Sequence, residues 1–265
     1  MSLHERRTLR PLVREAPVAL VANGSTLAVM MATPDDLEDF ALGFALTEGI
    51  ADTADALEDL EIIEHAEGYE ARFWLSGPAA ARLSHRQRAM IGPVGCGLCG
   101  IDSLAGVDRN LPPLPGTQPA IGRAEILDAP DLLRAHQPEH DRTGASHAAG
   151  FLLPGAGIVL AREDVGRHNA LDKLAGALNR AGHDPGEGAV VLTSRVSTEM
   201  VQKSVAMGAP MLIAVSAATD YAASLAARAG LTLISQVRGG QCRVMADPFA
   251  EGERNAGPIA SAARS

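Results

Sequence analysis

Ala189-Val-Val-Leu-Thr-Ser-Arg-Val-Ser-Thr-Glu-Met-Val-Gln-Lys-Ser-Val-Ala-Met-Gly-Ala-Pro-Met-Leu-Ile-Ala-Val215 places two short apolar runs on either side of a helical stretch. Ala189 to Thr193 and Pro210 to Val215 read as strands, and Ser197 to Met207 reads as a helix between them. The same rhythm continues in both directions. Upstream, His147 to Leu153 and Gly157 to Ala161 read as strands. They are followed by a helix over Gly166 to Ala181 that carries Leu171, Leu174, Ala175 and Leu178 on one side. Downstream come a helix over Thr219 to Ala229 and strands over Leu231 to Val237 and Arg243 to Met245. Strands alternating with helices predict a layered α/β domain with helices on the sheet faces.

The first part of the chain has a different pattern. Val18 to Ala32 reads as two strands turning at Asn23-Gly24, a strong hairpin signal. Thr33-Pro34-Asp35-Asp36 then reads as the start of a helix, with Thr33 as its cap and Pro34 in its first position. Leu37, Phe40, Ala41 and Phe44 fall on one face of that helix, and Gly49 stops it. A second hairpin is expected over Leu60 to Leu75, turning near Glu67-Gly68, and a short helix near Pro78 to Met90. The expected organisation is an α+β unit over 1–91, a Gly/Pro-rich loop over 92–122, an α/β domain over 123–249 and a loose tail over 250–265.

Composition narrows the function classes. Hydrophobic residues make up 46% of the 265 residues but aromatics only 3%, so the core must be aliphatic. Lys plus Arg total 23 against 32 Asp plus Glu, a net charge of -9, which argues against nucleic acid as a partner while leaving room for a local basic patch. Three cysteines do not make a secreted disulfide scaffold. The polar Met1 to Arg10 stretch has no apolar h-region, and no apolar run has the length of a membrane span. The expectation is a cytoplasmic protein without a membrane partner.

Two of the cysteines share one loop, Gly95-Cys96-Gly97-Leu98-Cys99-Gly100. Structural zinc wants four ligands, and no second knuckle accompanies this pair, so no metal is assigned. A thioredoxin-like redox pair belongs at a helix start in a βαβ unit, and the helix signals after Cys99 are weak. A third use is sulfur transfer: a thiolate accepts a sulfane sulfur as a persulfide, and flanking glycines give the mobility to meet two partners in turn. Two ordinary buried cysteines are the plain alternative, although this glycine-rich run suits neither a packed strand nor a packed helix.

Four segments together resemble the FdhD family of formate dehydrogenase accessory sulfurtransferases: Met31 to Gly49, Gly95 to Gly100, Arg162-Glu-Asp-Val-Gly-Arg-His-Asn-Ala-Leu-Asp-Lys-Leu174, and Ser194 to Lys203 continuing through Ala209-Pro210 to Arg238-Gly239-Gly240. The resemblance implies a second domain similar to the cytidine deaminase fold, and a homodimer. It implies that Cys96 accepts sulfur from a cysteine desulfurase as a persulfide, with Cys99 as the helper thiol. The sulfur then passes to the bis-molybdopterin guanine dinucleotide molybdenum cofactor on its way to apo-formate dehydrogenase. The family's cofactor-contacting segment matches Gln236, Val237, Arg238, Gly239, Gly240 and Gln241. A cation followed by two glycines beyond a strand end suits an approaching anion, and a plain hairpin turn would have the same sequence.

Some polar residues keep two readings. Asp164 at the corner Glu163 to Asn169 is expected to cap the following helix, with Asn169 solvated; alternatively Arg167 or His168 faces the cofactor or the persulfide. Ser194 to Ser197 is either an anion site at a helix start or simple capping by Ser197, with Glu199 in the first turn. His147 stands where a zinc deaminase would carry His-x-Glu, but the Glu and a later Pro-Cys-x-x-Cys are missing. Cys242 is a third reactive thiol or a buried strand residue. The competing functions are a molybdenum-cofactor chaperone that moves no sulfur and a zinc-dependent deaminase.

Overall fold

Asn23 and Gly24 both adopt positive φ, 50° and 74°. A two-residue turn of this hand follows the twist of the strands it joins. It connects β1 (Ala16–Ala22) to β2 (Ser25–Ala32). The computed structural model describes residues 10–89, 111–114 and 116–249. With β3 (Leu57–His65) and β4 (Gly68–Leu75), these strands form a sheet of order β2-β1-β4-β3, in which β1 runs parallel to β4. Helix α1 (Leu37–Thr47) lays Leu37, Phe40, Ala41 and Phe44 onto Val18, Leu20 and Phe73 in one buried core, as its periodicity predicts. Helix α2 (Gly77–Ala89) follows.

Thr33 does not cap α1. The helix begins at Leu37 after Asp36, whose φ is 54°, so Pro34 lies before it and no side chain caps it. Thr33 is instead drawn to the second sheet. Its N–H donates to Asp164 Oδ2 at 3.0 Å, its hydroxyl accepts from the Val165 N–H at 3.0 Å, and its carbonyl accepts from Lys173 Nζ at 2.8 Å. A buried carboxylate and a buried ammonium outbid an exposed helix end for these groups.

The second sheet contains β5 (His147–Leu153), β6 (Gly157–Asp164), β7 (Ala189–Leu192), β8 (Met211–Ala214), β9 (Thr232–Arg238) and β10 (Gln241–Ala246) in the order β10-β9-β8-β7-β5-β6. β7, β8 and β9 are parallel, and β5 is antiparallel to both β6 and β7. One face packs on α5 (Arg167–Ala181), α6 (Thr198–Ala206) and α7 (Asp220–Ala229) through Leu171, Leu174, Met200, Val201 and Leu225. The other face is covered by α3 (Arg123–Arg134) through Ala129 and Leu133. α3 and the short α4 (Pro138–Thr143) were not expected from the sequence. Pro130 inside α3 hides a helix whose few apolar positions nonetheless face the sheet.

The two sheets are joined where α1 crosses α5. A Cβ added at Gly43 would stand 1.7 Å from the Asp172 carbonyl oxygen, and one at Gly176 would stand 2.0 Å from that of Asp39. Ion pairs surround the crossing. Asp39 takes Arg162 Nε at 2.8 Å and Arg180 at 2.9 Å. Asp172, fully buried, takes Lys203 Nζ at 2.8 Å and the Thr47 hydroxyl at 2.6 Å, and Lys203 also reaches Glu48 at 2.8 Å. Burial works against the charge on Lys203, but Asp172 and Glu48 outweigh it and raise its pKa above the ordinary lysine value.

Candidate functional site

Because β6 runs in the direction of β7, β8 and β9 while β5 runs against it, one edge of the second sheet gathers five segments. They are the ends of β6, β7, β8 and β9 and the start of β5. Open α/β sheets bind ligands at this kind of edge. The edge therefore holds the turn after β9, the first turns of α5 and α6, and His147.

The turn after β9 forms from Gly239 and Gly240, at φ 59° and 72°, a pair of left-handed positions that glycine occupies without strain. It folds β10 back so that Gln241 pairs with Arg238. Gln236, Arg238, Gly239 and Gln241 line a depression of about 420 Å³, joined there by Cys242 and Arg243. Five of the six residues expected to contact a cofactor lie in the open turn or its wall. Val237 does not: its side chain is fully buried with Ile234, so it offers a ligand only backbone. A bulge at Gln236, a non-glycine residue at φ 54°, turns Val237 back to the face of Ile234. Arg243 was missed by the sequence reading; the return of β10 beside β9 pairs it with Ser235 and brings it to the same hollow as Arg238. Two arginines and two amide side chains around one hollow suit an anionic group with hydrogen-bonding edges. Cys242 is a free thiol that lines the hollow and packs partly against the core.

Most of the polar residues at the Arg162 to Leu174 segment are consumed by the junction with the first sheet. Asp164 pairs with Lys173 at 2.6 Å and both are fully buried. Asp164 also accepts from the Gly166 N–H at 2.7 Å, but Gly166 is the N-cap residue and no side chain caps α5, so Asp164 does not play the capping role expected of it. Asn169 is buried rather than solvated and donates to the Met31 carbonyl at 2.9 Å and to Asp164 at 3.0 Å. Glu163 accepts from the N–H groups of Glu139 and His140 and from the Ser146 hydroxyl.

Arg167 and His168 take no part in that junction. His168 Nε2 lies 2.8 Å from Glu199 Oε2, which ties the first turn of α5 to the first turn of α6. His168 holds the Glu199 pKa below the usual carboxylate range, with Lys203 and Arg167 adding to the effect. His147 is pushed below its ordinary value by burial and then by the positive charge of Arg167. Ser197 occupies the N-cap position of α6, yet its hydroxyl makes no capping bond.

A larger cavity of about 670 Å³ lies at the opposite edge, bordered by Leu46, Leu111, Ala175, Asn179 and Met207. Residues next to the carboxyl ends of α1, α5 and α6 line it, and carbonyl-rich helix ends disfavour anions. Cys96 and Cys99 lie outside the described residues. Among the described residues no group of three or more His, Cys, Asp or Glu could hold a metal ion, and no helix is long and apolar enough to cross a membrane.

A two-sheet α/β protein with an arginine-lined turn beyond a strand end is therefore the class that fold and site define. The chain belongs to the FdhD/NarQ family, whose model matches residues 13–250. It is 47% identical over 230 residues to the sulfur carrier protein FdhD of Agrobacterium fabrum, covering 87% of this chain and 85% of that one. It is 48% identical over 238 residues to the protein of the same name from Cupriavidus necator, covering 89% and 82%. A crystal structure of a candidate formate dehydrogenase accessory protein from Desulfotalea psychrophila superposes with a TM-score of 0.68 at 23% identity, over 89% of both chains, and so shares the fold.

Proposed function

We propose that this protein is a sulfur carrier that serves the maturation of a formate dehydrogenase. The observation that carries this reading is the match to the sulfur carrier proteins named above over nearly nine-tenths of the chain, in a sequence that holds the Cys96-Gly97-Leu98-Cys99 pair. In the proposed reaction the Cys96 thiolate takes a sulfane sulfur from the persulfide of a cysteine desulfurase, which leaves as its own thiolate. Cys96 then carries the persulfide. Attack of the Cys99 thiolate on the inner sulfur forms the Cys96–Cys99 disulfide and releases hydrosulfide to the acceptor. The acceptor proposed is the molybdenum of the bis-molybdopterin guanine dinucleotide cofactor, held as cargo for apo-formate dehydrogenase.

The hollow at Gln236 to Arg243 supports the cargo reading. Its arginines match the negative charge of a guanine dinucleotide, and its glutamines match a base edge. Holding the cargo beside the loop would make the sulfur transfer effectively unimolecular. A cytidine-deaminase-like second domain, a homodimer and a cytoplasmic setting belong to the same proposal.

The test is intact-protein mass measurement after incubation with a cysteine desulfurase and cysteine. The wild-type protein is expected to gain one sulfur mass and Cys96→Ala to gain none; a full persulfide on Cys96→Ala would overturn the assignment. The chaperone alternative makes a different prediction: Cys96→Ala would still restore formate oxidation to a cell that lacks the wild-type copy.

A further inference from the structure

We infer that the cavity at the carboxyl ends of α1, α5 and α6 is a docking groove for a basic surface segment of the protein that donates the sulfur. The inference rests on the sulfur-carrier reading and adds to it the surface on which the donor sits.

Electrostatics points there first. The cavity of about 670 Å³ is bordered by Leu46 and Gly49 at the end of α1, by Asn179 and His183 at the end of α5, and by Ala206 and Met207 at the end of α6. Each helix brings the negative end of its dipole to the same space. Cations in the last turn of a helix normally offset that charge. α1 has none there. Arg180 of α5 is taken by Asp39, and Lys203 of α6 by Asp172 and Glu48. Asp184 and Glu187, which flank the wall residue Pro185, pair with no cation among the described residues. One guanidinium already answers this field. Arg82 of α2 pairs with the bordering Asp52 at 2.9 Å and donates to the Ile50 carbonyl at 3.3 Å. A partner that complements this charge is basic.

Shape is the second observation. Leu46, Leu111, Ala175 and Met207 give the cavity aliphatic walls, while Asp52 and Asn179 are exposed. An arginine or lysine side chain has the same division, an apolar stem and a charged head. Metal binding is not the reading, because the cavity offers no ligand set among the described residues.

Position is the third. Leu111 and Pro112 line the cavity, and α2 meets Asp52 through Arg82. Cys96 and Cys99 stand in the chain between α2 and Leu111. A donor seated here therefore has both chain anchors of the thiol pair at its edge.

The experiment measures the rate at which the full-length protein gains one sulfur mass from each of two donors. One is a cysteine desulfurase with cysteine; the other is glutathione persulfide, which needs no docking surface. With either, the Cys96 thiolate takes the terminal sulfur and the donor leaves as its own thiolate. Asn179→Lys places a cation in the wall at a helix end that favours one. It should slow loading from the desulfurase by about 10-fold or more at low ionic strength, and the difference should shrink at high salt. Asn179→Glu should load at least as fast as the wild type. Glu67→Lys, in the exposed turn between β3 and β4, changes the net charge by more and should match the wild type. All should load alike from glutathione persulfide. Circular dichroism checks the fold, and Asp184→Lys repeats the test if Asn179→Lys does not fold. Wild-type desulfurase rates in the lysine variants, equal slowing by Asn179→Glu, or equal slowing with both donors overturns the groove. So does a wild type that loads from glutathione persulfide but not from the desulfurase. A wild type that loads from neither donor overturns the sulfur-carrier reading itself, so the two failures are distinguishable.

Discussion

Gly43 of α1 and Gly176 of α5 are the points at which the two helices touch. Each stands where the other helix's backbone would meet a side chain, at 1.7 Å from the Asp172 oxygen and 2.0 Å from the Asp39 oxygen. The first sheet and the second are held at backbone distance along this line. The strand-end edge of the second sheet is thereby fixed relative to α1 and to the Met31–Thr33 segment that leads into it.

Gly43→Ala and Gly176→Ala should each lower stability. The obstructing atoms are backbone, which cannot rotate aside, so the cost should reach or exceed the ~1–3 kcal/mol typical of overpacked cores. Urea denaturation gives the number. A midpoint unchanged from wild type in both variants would show that the crossing can open freely.

Lys203→Met should cost about 3–5 kcal/mol, because it leaves the Asp172 carboxylate buried without its cation. Lys203→Met combined with Asp172→Leu should be more stable than Lys203→Met alone, since no stranded charge remains. Chemical denaturation of the wild type, both single variants and the double variant measures the coupling. Additive losses would contradict the pairing.

His147 should titrate below its ordinary 6.5, since burial and then Arg167 disfavour its protonated form while Asp164 only partly opposes them. The sign follows from linkage. The unfolded chain takes up the proton near 6.5 and the folded one at lower pH, so this contribution is complete above that value and is lost as pH falls below it. Nuclear magnetic resonance titration of the imidazole reads the shift directly. His147→Gln should flatten the pH dependence of stability just below neutrality.

Arg238→Gln and Arg243→Gln should each weaken GDP binding by about 10-fold or more, the usual cost of losing a hydrogen bond to a charged group. The pair should not be additive, because both side chains border one hollow. Isothermal titration checks this. Wild-type affinity in the double variant would move the nucleotide elsewhere.

Much of the architecture was legible from residue pattern. The Asn23-Gly24 turn, the apolar face of α1 and the alternation from His147 to Val237 depend on contacts close in the chain, which periodicity records. Helix α3 was not legible, since Pro130 masks it locally and the sheet face that stabilises it comes from strands far along the chain. Thr33 was misjudged for the same reason: its partners Asp164 and Lys173 lie more than 130 residues away. The residues of the turn after β9 were readable as a cluster, but the inward position of Val237 was not, because one bulge at Gln236 reverses the side-chain parity.

By itself the sequence determined most of the stretches that become strands and helices, α3 and α4 apart, and it placed the glycine pair after β9, because turn chemistry and hydrophobic period act over a few residues. Only the tertiary structure decided which polar side chains are spent and which are left over. Arg162, Asp164, Asp172, Lys173 and Lys203 look much like His168 in the chain, yet the first five are paired with opposite charges around the α1–α5 junction while His168, in the first turn of α5, meets Glu199 in the first turn of α6. A buried charge is worth what its partners make it worth, and those partners are chosen by packing between segments far apart in sequence.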